Sequence, residues 1–276
     1  MPGNRRPPSR RRTSSRSVPP ATGLLIVTSG RLPYLRLCLR SLSWALPGLV
    51  DHLCLVDTSQ IGVPSSIARR AARLARDSSI VRLPGGSLRD GLEAGWNTLS
   101  AHEIARVFHV EEDFLFTRQL DIAQLSERAI PARCAQVLLV RQRWYSKEYE
   151  YRTMRQFYSQ NFNGRIAGDQ SIHLEQLFSF NPSLYDLQRI LAIVVTIASP
   201  STGNFEQKLS DEVLKRGMYT DIGDKDYRPP VTLHLGAVVT TKHNSIPKRR
   251  GAIAIGYLAV HGKRAAIVAR RLLTQA

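Results

Sequence analysis

The segment Ala105–Phe116, reading ARVFHVEEDFLF, constrains the fold more than any other part of the chain. An apolar run of strand type ends in three consecutive acids, Glu111, Glu112 and Asp113, and a second apolar run follows at once. The carboxylates therefore stand at the carboxyl end of a buried strand, which is where open α/β sheets bind ligands. Three carboxylates held together repel one another and are costly to bury, and a divalent cation is the usual way to offset that cost. An acidic turn after a strand is the other reading of the same residues, and both stay open at this point.

The preceding chain alternates in a regular way. Gly23–Arg31 is an apolar strand running into small polar residues. Leu35, Leu39, Leu42 and Leu46 then recur at helical spacing, with Arg36 and Arg40 between them, and Pro47-Gly48 closes the helix. A second strand, His52–Val56, ends in Asp57-Thr58-Ser59. Ile67–Arg76 reads as a basic helix, Ile80–Leu83 as a third short strand, Pro84–Ser87 as a turn, and Leu88–Ala105 as a further helix containing Gly91, Gly95 and Asn97. Strands alternating with helices predict an α/β fold with a parallel sheet wound in the nucleotide-binding manner. Two phosphate-binding devices are excluded. Thr28-Ser29-Gly30-Arg31-Leu32-Pro33 does not provide the Gly-x-Gly-x-x-Gly of a dinucleotide-binding turn, and no Gly-Lys-Ser/Thr loop occurs.

Beyond Asp113 the pattern is less regular. Val137–Val140 is a strand, followed by Arg141–Tyr145 and a polar, aromatic stretch to about His173 that suits a functional loop region. Phe178–Leu184 reads as a strand ending in a turn. Asn204–Gly217 is a helix with Leu209, Val213 and Leu214 on one side and Gly217 as terminator. Val231–Gly236 is a last strand carrying His234.

With 276 residues and 43% apolar content, the chain has enough sequence for one large domain or two small ones. The formal charge of +17 suggests an acidic partner, but the charge is not spread evenly. Residues 1–22 hold six arginines and no acid, and the chain from Tyr227 onward holds nine Lys or Arg and no acid, which leaves the body with a net charge of two. The tail 1–22 is rich in Arg, Pro and Ser and is expected to be disordered. At the other end, a 241–276 extension places Ala254, Leu258, Ala265, Val268 and Leu272 on one helical face and Lys263, Arg264, Arg270 and Arg271 away from it. Such a helix suits an anionic membrane or a phosphate backbone, or docks its apolar stripe on its own domain. Cys38, Cys54 and Cys134 are too few and too far apart for a disulfide framework or a zinc site, so a reducing compartment is expected. No secretory signal is evident and the longest apolar runs fall short of the ~20 residues of a membrane span, which together predict a soluble, cytoplasmic protein without a transmembrane segment.

The order of these pieces resembles the metal-dependent, nucleotide-sugar glycosyltransferases of the GT-A fold, in particular the family 2 group, over roughly residues 22 to 240. The resemblance rests on Cys38-Leu39-Arg40-Ser41-Leu42, on Leu55-Val56-Asp57-Thr58-Ser59, on Gly95-Trp96-Asn97 where the family has Ala-x-Asn, and on Glu111-Glu112-Asp113 at the Asp-x-Asp position. Downstream it continues in Phe205-Glu206 with Gly217, and in His234-Leu235-Gly236. It implies a mixed, Rossmann-like GT-A sheet flanked by helices over residues 23–240, Mn²⁺ or Mg²⁺ as cofactor, and a hexosyl or pentosyl transfer with inversion.

The same resemblance implies roles. Asp113 is the direct metal ligand, Glu111 acts through water or the ribose, and Glu112 matters least of the three. His234 completes the metal site, or is a hydrogen-bonded strand histidine. Asp57 meets the nucleobase or ribose, or caps the turn that follows it. Thr28, Ser29, Arg31 and Asn97 belong to the nucleotide-sugar pocket, although the family's common Tyr-Asn is missing there. Glu206 is the general base, with Asp211 as the fallback, even though Phe205 replaces the acid that usually precedes that base. Trp144, Tyr145 and Glu148 are acceptor contacts or ordinary packing residues. The donor is then a nucleotide diphosphate-sugar, and the basic ends suit an acidic acceptor such as nucleic acid, an anionic glycan or a lipid-linked phosphate. The competing expectation is a non-catalytic nucleic-acid-binding protein on a nucleotide-binding-like scaffold, against which the near-neutral body speaks.

Overall fold

The computed structural model describes residues 20–139, 178–197, 205–222 and 231–234. The expected tail up to residue 19, the acceptor candidates Trp144, Tyr145 and Glu148, and the basic C-terminal helix lie outside the described residues.

The chain begins with strand β1 (Thr22–Thr28), helix α1 (Leu32–Ala45), β2 (Val50–Asp57), α2 (Ser65–Ala72), β3 (Ala75–Arg82), α3 (Leu88–Ala101) and β4 (Arg106–Glu111). It continues through β5 (Phe114–Phe116), α4 (Ile122–Arg128), β6 (Cys134–Leu138), β7 (Ser183–Asp186), α5 (Leu187–Val194), α6 (Phe205–Lys215), β8 (Tyr219–Ile222) and β9 (Thr232–His234). Seven strands form one sheet in the order β3-β2-β1-β4-β7-β6-β8, and β5 pairs with β9 in a small second sheet. The first four strands are parallel, β7 runs antiparallel to both β4 and β6, and β8 is parallel to β6. The result is an α/β fold with a mixed sheet flanked by helices.

β1 sits at the centre of the parallel half, and all seven of its residues are buried. Its alternation sorts the core by face. Leu24 and Ile26 pack with Leu35, Cys38, Leu39 and Leu42 of α1, whereas Leu25 and Val27 pack with Leu92, Trp96 and Leu99 of α3. Each such leucine is worth about 1.5–3 kcal/mol when removed fully from water. The α3 face also holds Leu187, Ile190 and Ile193 of α5 and Leu209 and Val213 of α6. Helix α3 approaches the sheet so closely that a Cβ on Gly95 would lie 2.3 Å from Leu25 Cδ1. Its start is fixed by a reciprocal cap, in which the Ser87 side chain accepts from the Asp90 amide and Asp90 accepts from the Ser87 amide.

Several expected boundaries shift. The basic helix stops at Ala72 rather than Arg76, because Ala75–Ser79 belong to β3, which starts five residues before the expected Ile80. β3 is an edge strand with mostly exposed residues, so hydrophobicity marks only its second half. Helix α3 ends at Ala101, and Ile104 and Ala105 connect it to β4. The strand expected at Phe178–Leu184 is displaced to Ser183–Asp186, and Phe178 and Phe180 instead fill the core beneath α6. Asp186 ends β7, pairs with Arg106 and caps α5 through its bond from the Arg189 amide.

Candidate functional site

β1 is flanked by β2 on one side and β4 on the other, so the winding of the sheet reverses between β1 and β4. Loops leaving the carboxyl ends of two such strands diverge to opposite faces and open a crevice. Here the two loops are Ser29–Arg31 and Glu112–Asp113, and they are bonded to each other.

Glu112 is the centre of that contact and is 1% exposed. It accepts hydrogen bonds from the Thr28 hydroxyl, the Ser29 amide (3.2 Å) and hydroxyl (2.6 Å), the Arg31 amide (3.2 Å) and Arg31 Nε (2.6 Å). The Arg31 guanidinium also reaches Asp113 Oδ2 at 3.1 Å and lies over the Tyr34 ring, 5.3 Å from its centroid. Burial works against the charge on Arg31, but Asp113 and Glu112 outweigh it and hold the guanidinium above its ordinary pKa. Gly30 has φ of +90°, and a Cβ there would sit 2.4 Å from Ser59 Cβ, so the β1 loop presses against the β2 loop with no room for a side chain.

Glu111 ends β4 on the α3 face of the sheet. Its carboxyl is pushed up to about 8, first by burial and then by Asp113, Glu206 and Glu112, with Arg31 opposing. Glu206 thus lies near enough to Glu111 to act on it electrostatically, although 95 positions separate them in the sequence. Glu206 stands in the first turn of α6, and its Oε1 accepts the Phe180 amide at 2.9 Å. Phe205 stacks on Phe180 at 5.8 Å and receives the Arg89 guanidinium at 4.9 Å, while Phe180 meets the His109 ring edge-on at 5.9 Å. These aromatic contacts set where α6 begins. Ser210 reinforces them by bonding both the amide and the carbonyl of Phe178.

Of the expected site residues, Thr28, Ser29, Arg31, Glu111, Glu112 and Asp113 come together at the β1–β4 junction, and Glu206 approaches from α6. His234 lies on the strand beside them, its backbone paired in register with Phe114, the residue after Asp113. Asp57 is 1% exposed, and its two oxygens accept the Ser59 (3.0 Å) and Val63 (2.7 Å) amides, so its visible work is to close the β2–α2 loop. Asn97 is exposed on α3, nine residues past its start and so about 14 Å down the helix, away from the carboxyl edge of the sheet. Asp211, half-buried and with its carboxyl pushed up by burial, sits further along α6. The sequence reading missed two things: the Tyr34 platform beneath Arg31, and the Phe180–Phe205–Arg89 stack. Tyr34 follows Arg31 by three residues at the opening of a helix, a spacing that signals neighbours; the stack joins three distant segments and carries no local signal.

Of the three acids, Asp113 is the one whose carboxylate suits a hard cation such as Mg²⁺ or Mn²⁺: it is 4% exposed and shared with Arg31, whereas Glu112 is saturated by its five hydrogen bonds and burial favours the protonated form of Glu111.

No family model and no curated protein matches this sequence. Among solved structures the chain is similar to the mannosyltransferase PcManGT from Pyrobaculum calidifontis in complex with GDP-Man and Mn²⁺, at 15% identity over 94% of this chain and 76% of that one, with a TM-score of 0.49. It is also similar to a 4-diphosphocytidyl-2C-methyl-D-erythritol synthase, at 15% identity over 77% of this chain and 95% of that one, with a TM-score of 0.44.

Proposed function

We propose that the protein is a metal-dependent glycosyltransferase that moves a sugar from a nucleotide diphosphate-sugar to an acceptor hydroxyl with inversion. The observation that carries this reading is the joining of the Ser29–Arg31 loop to Glu112 and Asp113 at the point where the sheet reverses its winding, the crevice in which open α/β sheets take nucleotides.

In this reading Ser29 and Arg31 stand at the nucleotide side, with Thr28, whose hydroxyl is held by Glu112, and Asp57 behind them. Arg31, held by Glu112 and Asp113 through Nε and Nη1, is the cation proposed to face the diphosphate. Asp113 is the metal ligand, with His234 as the second candidate from the adjoining strand. A bound Mn²⁺ or Mg²⁺ supplies positive charge to the departing diphosphate. Glu206 takes the proton of the acceptor hydroxyl as that oxygen bonds to the anomeric carbon, on the face opposite the bond to the diphosphate that breaks. Glu111, beside both Asp113 and Glu206, is placed to meet the ribose or the transferred sugar.

The test is incubation with a panel of nucleotide-sugars and Mn²⁺, with products resolved by chromatography. Metal-dependent release of nucleoside diphosphate and free sugar supports glycosyl transfer, because slow hydrolysis needs no acceptor. Release of nucleoside monophosphate or pyrophosphate, or no turnover of any donor, would overturn it. Once a donor and an acceptor are identified, Glu206→Gln is expected to lower transfer by about 10²–10⁴-fold while leaving donor binding nearly unchanged.

A further inference from the structure

A second cluster of ligand-type side chains lies far from the acidic triplet. His52 is near the start of β2, five residues before Asp57, which places it about 17 Å from the carboxyl edge of the sheet. Its register partner on β3 is Asp77, and His102 at the C-terminal end of α3 stacks on it, with ring centroids 3.9 Å apart and planes at 25°. One ligand atom from each of His52, Asp77 and His102 can be chosen so that all lie within 4.8 Å of one another.

We propose that His52, Asp77 and His102 form a binding site for a borderline divalent transition metal of the Zn²⁺ class, at the amino end of the sheet and separate from the Asp113 site. His52 Nδ1 lies 3.3 Å from Asp77 Oδ2. That separation matches the edge of a tetrahedron with metal–ligand bonds of ~2.0–2.1 Å, so one ion bridges the two atoms without moving either backbone. The opposite nitrogen, His52 Nε2, is 2.9 Å from Ser79 Oγ, a contact that fixes the ring orientation and leaves Nδ1 as the coordinating atom. Asp77 is itself held by the Ser78 amide, which donates to Oδ1 at 2.7 Å. His102 supplies the third ligand from an exposed position, where rotation of its side chain closes the remaining gap, and water completes the coordination.

The ligand set decides the metal class. Two imidazoles and one carboxylate favour Zn²⁺, Co²⁺, Ni²⁺ or Cu²⁺ over Mg²⁺ or Ca²⁺, which prefer oxygen throughout. Exposure is divided usefully: His52 is 3% exposed and rigid, whereas the Asp77 side chain is 68% exposed and open to solvent.

The experiment is a Co²⁺ titration of the metal-stripped, tag-free full-length chain, followed by visible absorption and then by Zn²⁺ displacement. The expected result is saturable d–d absorption from one low-symmetry Co²⁺ site, abolished by Zn²⁺. Affinity should fall at least about tenfold in His102→Ala and in Asp77→Ala, and stay unchanged in Asp113→Asn. Both weakening substitutions are at exposed positions, and circular dichroism verifies that the variants fold. Absence of saturable absorption, or equal affinity in His102→Ala and the parent chain, would overturn the proposal, as would loss of the signal in Asp113→Asn.

Discussion

Among the described residues, His109 shows most directly how burial sets a residue's chemistry. It is fully buried on β4, neither ring nitrogen has a hydrogen-bond partner, and burial lowers its pKa to about 3. In the unfolded chain an imidazole titrates near 6.5. Above that value neither state is protonated and the residue is neutral to stability; as pH falls below it, the unfolded state takes up a proton that the folded state refuses, so stability drops. The expected loss between pH 7 and pH 5 is about 2 kcal/mol from this one side chain. Urea unfolding at the two pH values should show it, and His109→Leu should remove that part of the pH dependence. Arg31 makes the complementary case, a cation whose removal strands two buried carboxylates. Arg31→Ala is expected to cost about 3 kcal/mol, at the lower end for breaking a buried pair because the arginine is 26% exposed. If Asp113 binds metal, Mn²⁺ should recover part of the lost melting temperature in that variant and raise it more than in the parent chain. Glu112 has a structural role beyond its expected place in the site. Read from the sequence it is the acid of least consequence, whereas its five hydrogen bonds make it the fastening between two loops. Sequence order could not reveal this, because its partners lie more than 80 positions away.

At the scale of elements, the parallel half was legible because each strand there is an apolar run and each helix shows its own period. β1, β2 and β4 were found within three residues of their limits, since burial on both faces leaves a continuous hydrophobic signature. The first half of β3 went unassigned, its first two residues taken into the expected helix, because an exposed edge strand needs no such signature. Helix α5 went unrecognised for a different reason: only Leu187, Ile190 and Ile193 of LQRILAIV are buried, and over two turns that short helical spacing is masked by the apolar Leu191, Ala192 and Val194 beside them. The site divides along the same line, with the acidic triplet visible as a local run and the approach of Glu206 to Glu111 visible only in three dimensions. Glycine spacing in α3 has an element-level test. Gly95→Ala gains up to about 1 kcal/mol of helix propensity but overpacks against Leu25 and Val56, which typically costs 1–3 kcal/mol. A net destabilisation of about 1 kcal/mol is expected, read as a lower denaturant midpoint with an unchanged slope.

For the molecule as a whole, no helix among the described residues is long and apolar enough to cross a membrane. Two hydrophobic layers enclose the sheet and leave the carboxyl edge of β1 and β4 as the place where charged groups converge. A ligand that binds this edge only in the folded state stabilises everything beneath it. At a hundred times its dissociation constant, a nucleoside diphosphate with Mn²⁺ should add about 2.7 kcal/mol, seen as a rise in melting temperature that grows with concentration. A flat response to every nucleoside diphosphate would remove the donor site from consideration.

The antiparallel strand β7 has a consequence in time as well as in space. It lies between β4 and β6, yet it is made after both, and Glu111 and Ser183 are 72 positions apart. At the usual pace of synthesis, 5–20 residues per second, the free edge of β4 waits roughly 4–14 s for its partner. During that interval Val107, Phe108 and His109 present open backbone amides and carbonyls on an apolar strand, the kind of edge that recruits foreign strands. The nascent chain is therefore most vulnerable to misassembly after its parallel half is complete and before Ser183–Asp186 arrives to seal it.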